Sequence, residues 1–77
     1  MIHKEFNYTV IIERDTDSGD YIATVPSFDG CVVQMKTYNE ALKEIRDVLR
    51  DFIQEYIKDE IELPEEDLAI TNIRVAV

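Results

Sequence analysis

Thr37-Tyr38-Asn39-Glu40-Ala41-Leu42-Lys43-Glu44-Ile45-Arg46-Asp47-Val48-Leu49-Arg50-Asp51-Phe52-Ile53-Gln54-Glu55-Tyr56-Ile57-Lys58-Asp59-Glu60-Ile61 is the stretch whose reading decides the fold. Ala41, Leu42, Ile45, Val48, Leu49, Phe52, Ile53, Tyr56 and Ile57 recur within it at steps of three and four, which winds them onto one stripe of an α-helix. Such a stripe has to be buried. Thr37 and Glu40 stand three apart at its start, the spacing of a capping box in which the threonine hydroxyl accepts from an early backbone N–H while the glutamate reaches back. A helix of this length runs about 35 Å, whereas strands of seven to nine residues cover roughly 23 to 30 Å. Its far end therefore overhangs the sheet it lies on, and Phe52, Tyr56 and Ile57 want a cover, which points to self-association.

Upstream, Phe6, Tyr8, Val10 and Ile12 alternate with Asn7, Thr9, Ile11 and Glu13, a strand with one buried face. Asp15-Thr16-Asp17-Ser18-Gly19-Asp20 is rich in turn formers, and Tyr21-Ile22-Ala23-Thr24-Val25 completes a hairpin. The aspartates do not make a calcium loop: its sixth position needs glycine and its twelfth glutamate, and Asp20 and Pro26 stand there. Pro26-Ser27-Phe28-Asp29-Gly30 is a second turn, followed by a strand from Cys31 to Met35. After the helix, Leu63-Pro64 ends regular structure, and Ile70 to Val77 reads as a strand with Ile73, Val75 and Val77 on one face. A strand–helix–strand order implies a right-handed crossover to a parallel neighbour. The expected fold class is α+β: a two-layer βββαβ domain whose four-stranded mixed sheet, an antiparallel three-stranded meander plus one parallel strand, carries one long helix on one face.

The chain's 77 residues suit one domain over residues 1–77, with modest stability unless subunits associate. There is no apolar run long enough to span a bilayer and no secretory-type leader, so a cytoplasmic location is expected. The lone Cys31 sits in an apolar run without a basic neighbour, as a buried, unreactive thiol would. His3, the only histidine, has no evident partner for metal binding or catalysis and reads as a solvated tail residue. No cofactor and no metal are expected. With 17 acidic residues against 8 basic ones, the formal net charge is −9, which repels phosphate backbones and argues against direct nucleic-acid binding.

Asp47, Asp51, Glu55 and Asp59 fall four apart along one helix edge, although like charges at that spacing cost roughly 0.2 to 0.5 kcal/mol per pair in an isolated helix. Asp59 and Glu60 also oppose the macrodipole at the helix end. A solvated face accounts for this; so does an acidic surface for a basic partner, formed by Asp47, Asp51, Glu55 and Asp59 with Glu62, Glu65 and Glu66. On the sheet face away from the helix, Ile11, Ile22 and Val32 beside Thr9, Thr24 and Gln34 are too apolar for plain exposure and suit pairing with another chain. With Phe52, Tyr56 and Ile57 they are the candidate self-association residues, of a homodimer or higher assembly.

Tyr8-Thr9-Val10-Ile11-Ile12-Glu13, the acidic turn, Tyr21-Ile22-Ala23-Thr24-Val25-Pro26, Gly30-Cys31, Thr37-Tyr38-Asn39-Glu40-Ala41-Leu42 and Leu63-Pro64 together resemble the HicB-like antitoxin family over nearly the whole chain. Asp29 stands where that family usually has a proline. The resemblance implies a partial ribonuclease-H-like fold without nuclease activity. It also implies a partner of the HicA type, a small basic RNA-cleaving toxin whose RNA surface or catalytic histidine is blocked. Many members carry a C-terminal DNA-binding domain; none is expected here, and operator binding is not carried over. The chain is similar to the short, single-domain members.

Three functions follow. The first is an antitoxin-like binding protein, not an enzyme, that neutralises a HicA-like toxin. The second is a residual metal-dependent nuclease using Glu13, Asp15, Asp17 and Asp20, disfavoured because these are mostly turn residues that do not converge on an ion pair. The third is a small oligomeric interaction domain with a non-toxin partner. No membrane partner is expected.

Overall fold

The computed structural model describes residues 4–77, so His3 lies outside the described residues. Three strands form, β1 (Ile11–Arg14), β2 (Tyr21–Thr24) and β3 (Val32–Met35), followed by one helix, α1 (Tyr38–Lys58). The strands pair in the order β1-β2-β3, antiparallel throughout. Ile12, Ala23 and Val33 form one cross-strand row, and Ile11, Thr24 and Val32 the row beside it. Side chains alternate between faces along each strand, so the first row points to the helix and the second away from it. Each strand is four residues long, shorter than the alternation predicts. The ladder stops where partners stop: Asp15 closes the first turn by donating its N–H to the Asp20 carbonyl at 2.7 Å, and Val25 bonds the Cys31 carbonyl at 3.0 Å to close the second.

The predicted βββαβ order with a four-stranded mixed sheet is overturned: the chain is βββα, and its sheet has three antiparallel strands and no fourth, parallel one among the described residues. Ile70 to Val77 carries no strand, and Ile70, Ile73 and Val75 stay 64%, 81% and 72% exposed. Period-two alternation tells which residues share a face but not which neighbour completes the hydrogen bonds. The returning chain meets the lead-in to β1 through the Tyr8 hydroxyl, which donates to the Pro64 carbonyl at 2.8 Å, and through the Thr9 N–H, which donates to the Glu66 carboxylate. A side chain thus takes the N–H a ladder would use, and Pro64 has none to offer. The Cα radius of gyration is 15.0 Å, against about 11.5 Å for a compact chain of this length.

The helix begins as its sequence dictates. Thr37 is the N-cap, its hydroxyl accepting from the Glu40 N–H at 3.1 Å and meeting the Glu40 carboxylate at 2.9 Å. It ends in a Schellman turn: the Ile61 N–H reaches the Tyr56 carbonyl at 2.9 Å and the Glu60 N–H the Ile57 carbonyl at 3.2 Å, with Glu60 in the left-handed region at φ 56°. The 21 helical residues span about 31 Å over strands of about 13 Å, so an overhang does exist. Phe28, 2% exposed, fills it from the β2–β3 loop, its ring edge-to-face with Tyr8, Phe52 and Tyr56 at 4.9, 5.9 and 5.2 Å. Ala23, Val25, Cys31, Ala41, Ile45 and Ile53 complete the buried core. The helix packs mainly on β2 and β3 and least on β1.

Candidate functional site

Helical geometry places Asp51 and Glu55 in one row and Phe52 and Tyr56 in the row beside it, since residues four apart stack and residues one apart lie 100° round the axis. In the structure these four line a single open groove of about 290 Å³ on the helix flank. Phe28 packs against Phe52 and Tyr56 from the core side, which fixes both rings while leaving each half-buried at the surface. The groove is a rigid aromatic floor with a carboxylate wall. Carboxylates attract cations, and aromatic rings complement them where a ring face is presented.

The other acidic residues extend this wall unevenly. Asp47 is half-buried and pairs with Arg50 at 3.4 Å, so the first carboxylate of the row is partly neutralised. Asp59 caps the helix end, and Glu62 and Glu65 follow it, all exposed. Glu66 is turned to a structural task by its bond with the Thr9 N–H. It also lies close enough to Tyr8 that burial first, and the Glu66 charge second, raise the phenol above its ordinary value. The structure therefore unites Asp51 and Glu55 of the predicted partner-binding set with Phe52 and Tyr56 of the predicted self-association set on one surface.

The remaining self-association residues lie elsewhere. Ile11, Ile22 and Val32 sit on the sheet face opposite the helix, where Val32 is half exposed. Ile57 is exposed on the far flank of the helix, in a second groove shared with Phe6 and the cations Lys4, Arg46 and Arg50. Sequence reasoning assigned no role to Phe28, or to Lys4, Phe6, Arg46 and Arg50 as a group. The signal for Phe28 was an aromatic residue in an otherwise polar turn, facing a helix end that lacked a cover.

Two of the carboxylates considered for metal chemistry, Asp15 and Asp20, are engaged in hydrogen bonds of the hairpin. Both Asp15 oxygens serve the hairpin turn, accepting from the Asp17 N–H at 3.1 Å and the Ser18 hydroxyl at 3.0 Å, while Asp20 accepts from the Gln34 amide at 2.9 Å. Among the described residues no cluster of three or more His, Cys, Asp or Glu side chains is arranged to hold a metal ion. Cys31 is buried, and burial pushes its thiol up. No helix of the described residues is long and apolar enough to cross a membrane.

No family model matches the chain, and no solved structure matches it. Curated relatives do. The chain is 33% identical over 72 residues to a UPF0150 protein of Synechocystis, covering 94% of this chain and 90% of the relative. It is 40% identical over 60 residues to a UPF0150 protein of Thermoplasma acidophilum, covering 78% and 86%. A third, from Helicobacter pylori, is 34% identical over 67 residues, covering 86% and 90%. Identity at this level, across nearly the full length of relatives from both bacteria and an archaeon, places the chain in the UPF0150 family.

Proposed function

We propose that this chain is a HicB-like binding protein of the antitoxin type, acting in the cytoplasm without chemistry of its own. Its partner is a small, basic, RNA-cleaving protein of the HicA type, and binding masks the surface with which that partner holds or cuts RNA. The observation that carries this reading is the groove of Asp51, Phe52, Glu55 and Tyr56, a fixed aromatic floor walled by carboxylates. A protein that binds RNA must present cations to phosphates, and an acidic surface of matching shape competes for the same cations. The chain's net charge of −9 speeds the encounter with such a partner and disfavours direct contact with nucleic acid.

The test is co-expression with the product of the neighbouring reading frame, followed by co-purification and a growth assay with this chain withdrawn. A small basic neighbour that co-purifies, and that arrests growth when unaccompanied, supports the proposal. Asp51→Lys with Glu55→Lys then weakens the complex by about tenfold or more, and raising salt weakens the unaltered complex as well. An affinity indifferent to both changes rejects the electrostatic surface. A neighbour unrelated in charge, or one harmless when alone, favours a second reading: a small oligomeric interaction domain with a non-toxin partner. The apolar residues Ile11, Ile22 and Val32 on the sheet's outer face support that alternative.

A further inference from the structure

Two features are not used by the Asp51–Tyr56 groove. The first is the arm beyond Pro64. Its root carries Glu65, Glu66 and Asp67 in succession, and its length exposes Leu68, Ile70, Ile73 and Val75 at 40%, 64%, 81% and 72%. Apolar side chains recurring along an extended segment with nothing against them are an unmet demand for burial. The second is an open groove of about 450 Å³ between the lead-in to β1 and the far flank of α1. Phe6, Leu49, Ile53 and Ile57 supply its apolar part, and Lys4, Arg46 and Arg50 also line it, Arg50 while meeting Asp47 at 3.4 Å. Three of the chain's eight basic residues thus gather at one place.

We propose that this groove receives the arm of a second copy of the chain, in a reciprocal exchange that closes a two-fold dimer. Charge makes the assignment. Two copies each carrying −9 repel one another over most of their surfaces, so association needs a place where opposite signs meet. Lys4 and Arg46 at the groove, with Arg50 shared with Asp47, and Glu65 and Asp67 at the arm's root, beside the Glu66 that the Thr9 N–H holds, are such a place. Apolarity agrees, because aliphatic residues of the arm meet the aliphatic and aromatic residues of the groove. Within one chain the two stay apart: the arm's root is held at Tyr8 and Thr9, and its apolar residues remain in solvent. A symmetric exchange satisfies both demands at once and leaves no arm free to recruit a third copy. It also leaves the Asp51–Tyr56 groove on the other helix flank open to a different protein.

Sedimentation equilibrium of the full chain at low salt reads the outcome. The unaltered chain is expected to be dimeric at about 0.1 mM. Arg46→Glu with Arg50→Glu, and separately Glu65→Arg with Asp67→Arg, each raises the dissociation constant by about tenfold or more. Combining all four substitutions restores it to within about threefold of the original, a recovery that a general loss of folding does not produce. In a mixture of labelled and unlabelled copies, isotope-filtered contacts between Ile73 or Val75 methyls and those of Ile53 or Ile57 appear between copies. A monomeric unaltered chain, a dimer indifferent to both charge reversals, a failure of the combined variant to recover, or contacts confined to single copies each overturns the proposal.

Discussion

Replacing Phe28 tests how the candidate surface is held in place. The side chain is 2% exposed and touches three rings edge-to-face, those of Tyr8, Phe52 and Tyr56 at 4.9, 5.9 and 5.2 Å. Truncation of a buried phenylalanine to alanine costs about 3 to 5 kcal/mol, combining lost transfer energy with the cavity left behind. A domain of 77 residues has a total stability of roughly 4 to 12 kcal/mol, so Phe28→Ala removes between a quarter and the whole of it. Phe28→Leu separates the two contributions. It keeps most of the apolar volume but loses three aromatic pairs, each worth about 0.5 to 1.5 kcal/mol beyond area, so a loss of about 1.5 to 4.5 kcal/mol is expected. Urea titration followed by circular dichroism measures both variants, the midpoint falling with little change in slope if the native state alone is affected. The leucine variant also binds a basic partner less tightly than its stability change accounts for, because Phe52 and Tyr56 lose the ring that fixes them. A cost below about 1 kcal/mol for Phe28→Ala refutes the view that this loop residue anchors the helix end.

Glu60 takes a left-handed conformation, φ 56°, at the Schellman position where glycine is at ease. Relief of about 1 to 2 kcal/mol, offset by about 0.5 to 1 kcal/mol of added unfolded-chain freedom, predicts that Glu60→Gly stabilises by up to about 1.5 kcal/mol, read as a rise in melting temperature of several degrees. Thr37→Ala removes the cap bonded to the Glu40 N–H and lowers stability by about 1 kcal/mol in the same assay. Tyr8 and Cys31 are both raised in the folded state, Tyr8 by burial and then by Glu66, Cys31 by burial. Their protonated forms are the ones the fold prefers, so this stability is fully present below the unfolded values, about 9 for the thiol and 10 for the phenol, and is lost as pH rises through the folded ones. Urea midpoints measured from pH 7 to 11 should fall on the alkaline side, less steeply for Tyr8→Phe, and native Cys31 should react with iodoacetamide far more slowly than the unfolded chain.

Much of the fold was legible because the decisive signals are local. The helical stripe and the Thr37 cap need only residues three and four apart; the hydroxyl caps the Glu40 N–H as read, while the Glu40 carboxylate meets that hydroxyl rather than a backbone N–H and Ile57 of the stripe stays exposed. The outward row of Ile11 and Val32 follows from alternation, and the observed register leaves it intact. What failed depends on partners far along the chain. Ile70 to Val77 has the pattern of a strand, yet a strand exists only where a neighbour presents a free ladder, and the approach of Pro64 and Glu66 to Tyr8 and Thr9 does not begin one. Phe28 was read as part of a turn because Pro26 and Gly30 flank it. Backbone chemistry sets the turn, but the overhanging helix draws the side chain inward. The two grooves were half legible, since helical spacing gave the rows of Asp51, Glu55, Phe52 and Tyr56 without showing that Phe28 would hold the aromatic pair at the surface.

A solvated acidic face and a binding surface differ in what they ask of the neighbouring residues. Solubility needs only charge, and scattered carboxylates supply it without the repulsion of residues set four apart, which costs roughly 0.2 to 0.5 kcal/mol per pair. It gives no reason to keep two aromatic rings half-exposed between the acids, where they add apolar surface to water. Recognition of a cationic partner asks for both at once, carboxylates for attraction and desolvated rings for affinity, since charge alone at a rim contributes little to binding. Asp51, Phe52, Glu55 and Tyr56 meet that joint requirement within two turns of one helix, with Phe28 beneath them. The opposite helix flank carries Arg46 and Arg50 beside Ile57, and Arg50 meets Asp47 at 3.4 Å where the two flanks adjoin. Neutralising the acids alone with Asp51→Asn and Glu55→Gln should therefore slow association with a basic partner. Phe52→Ala should speed its dissociation, and a surface serving only solubility would register neither change.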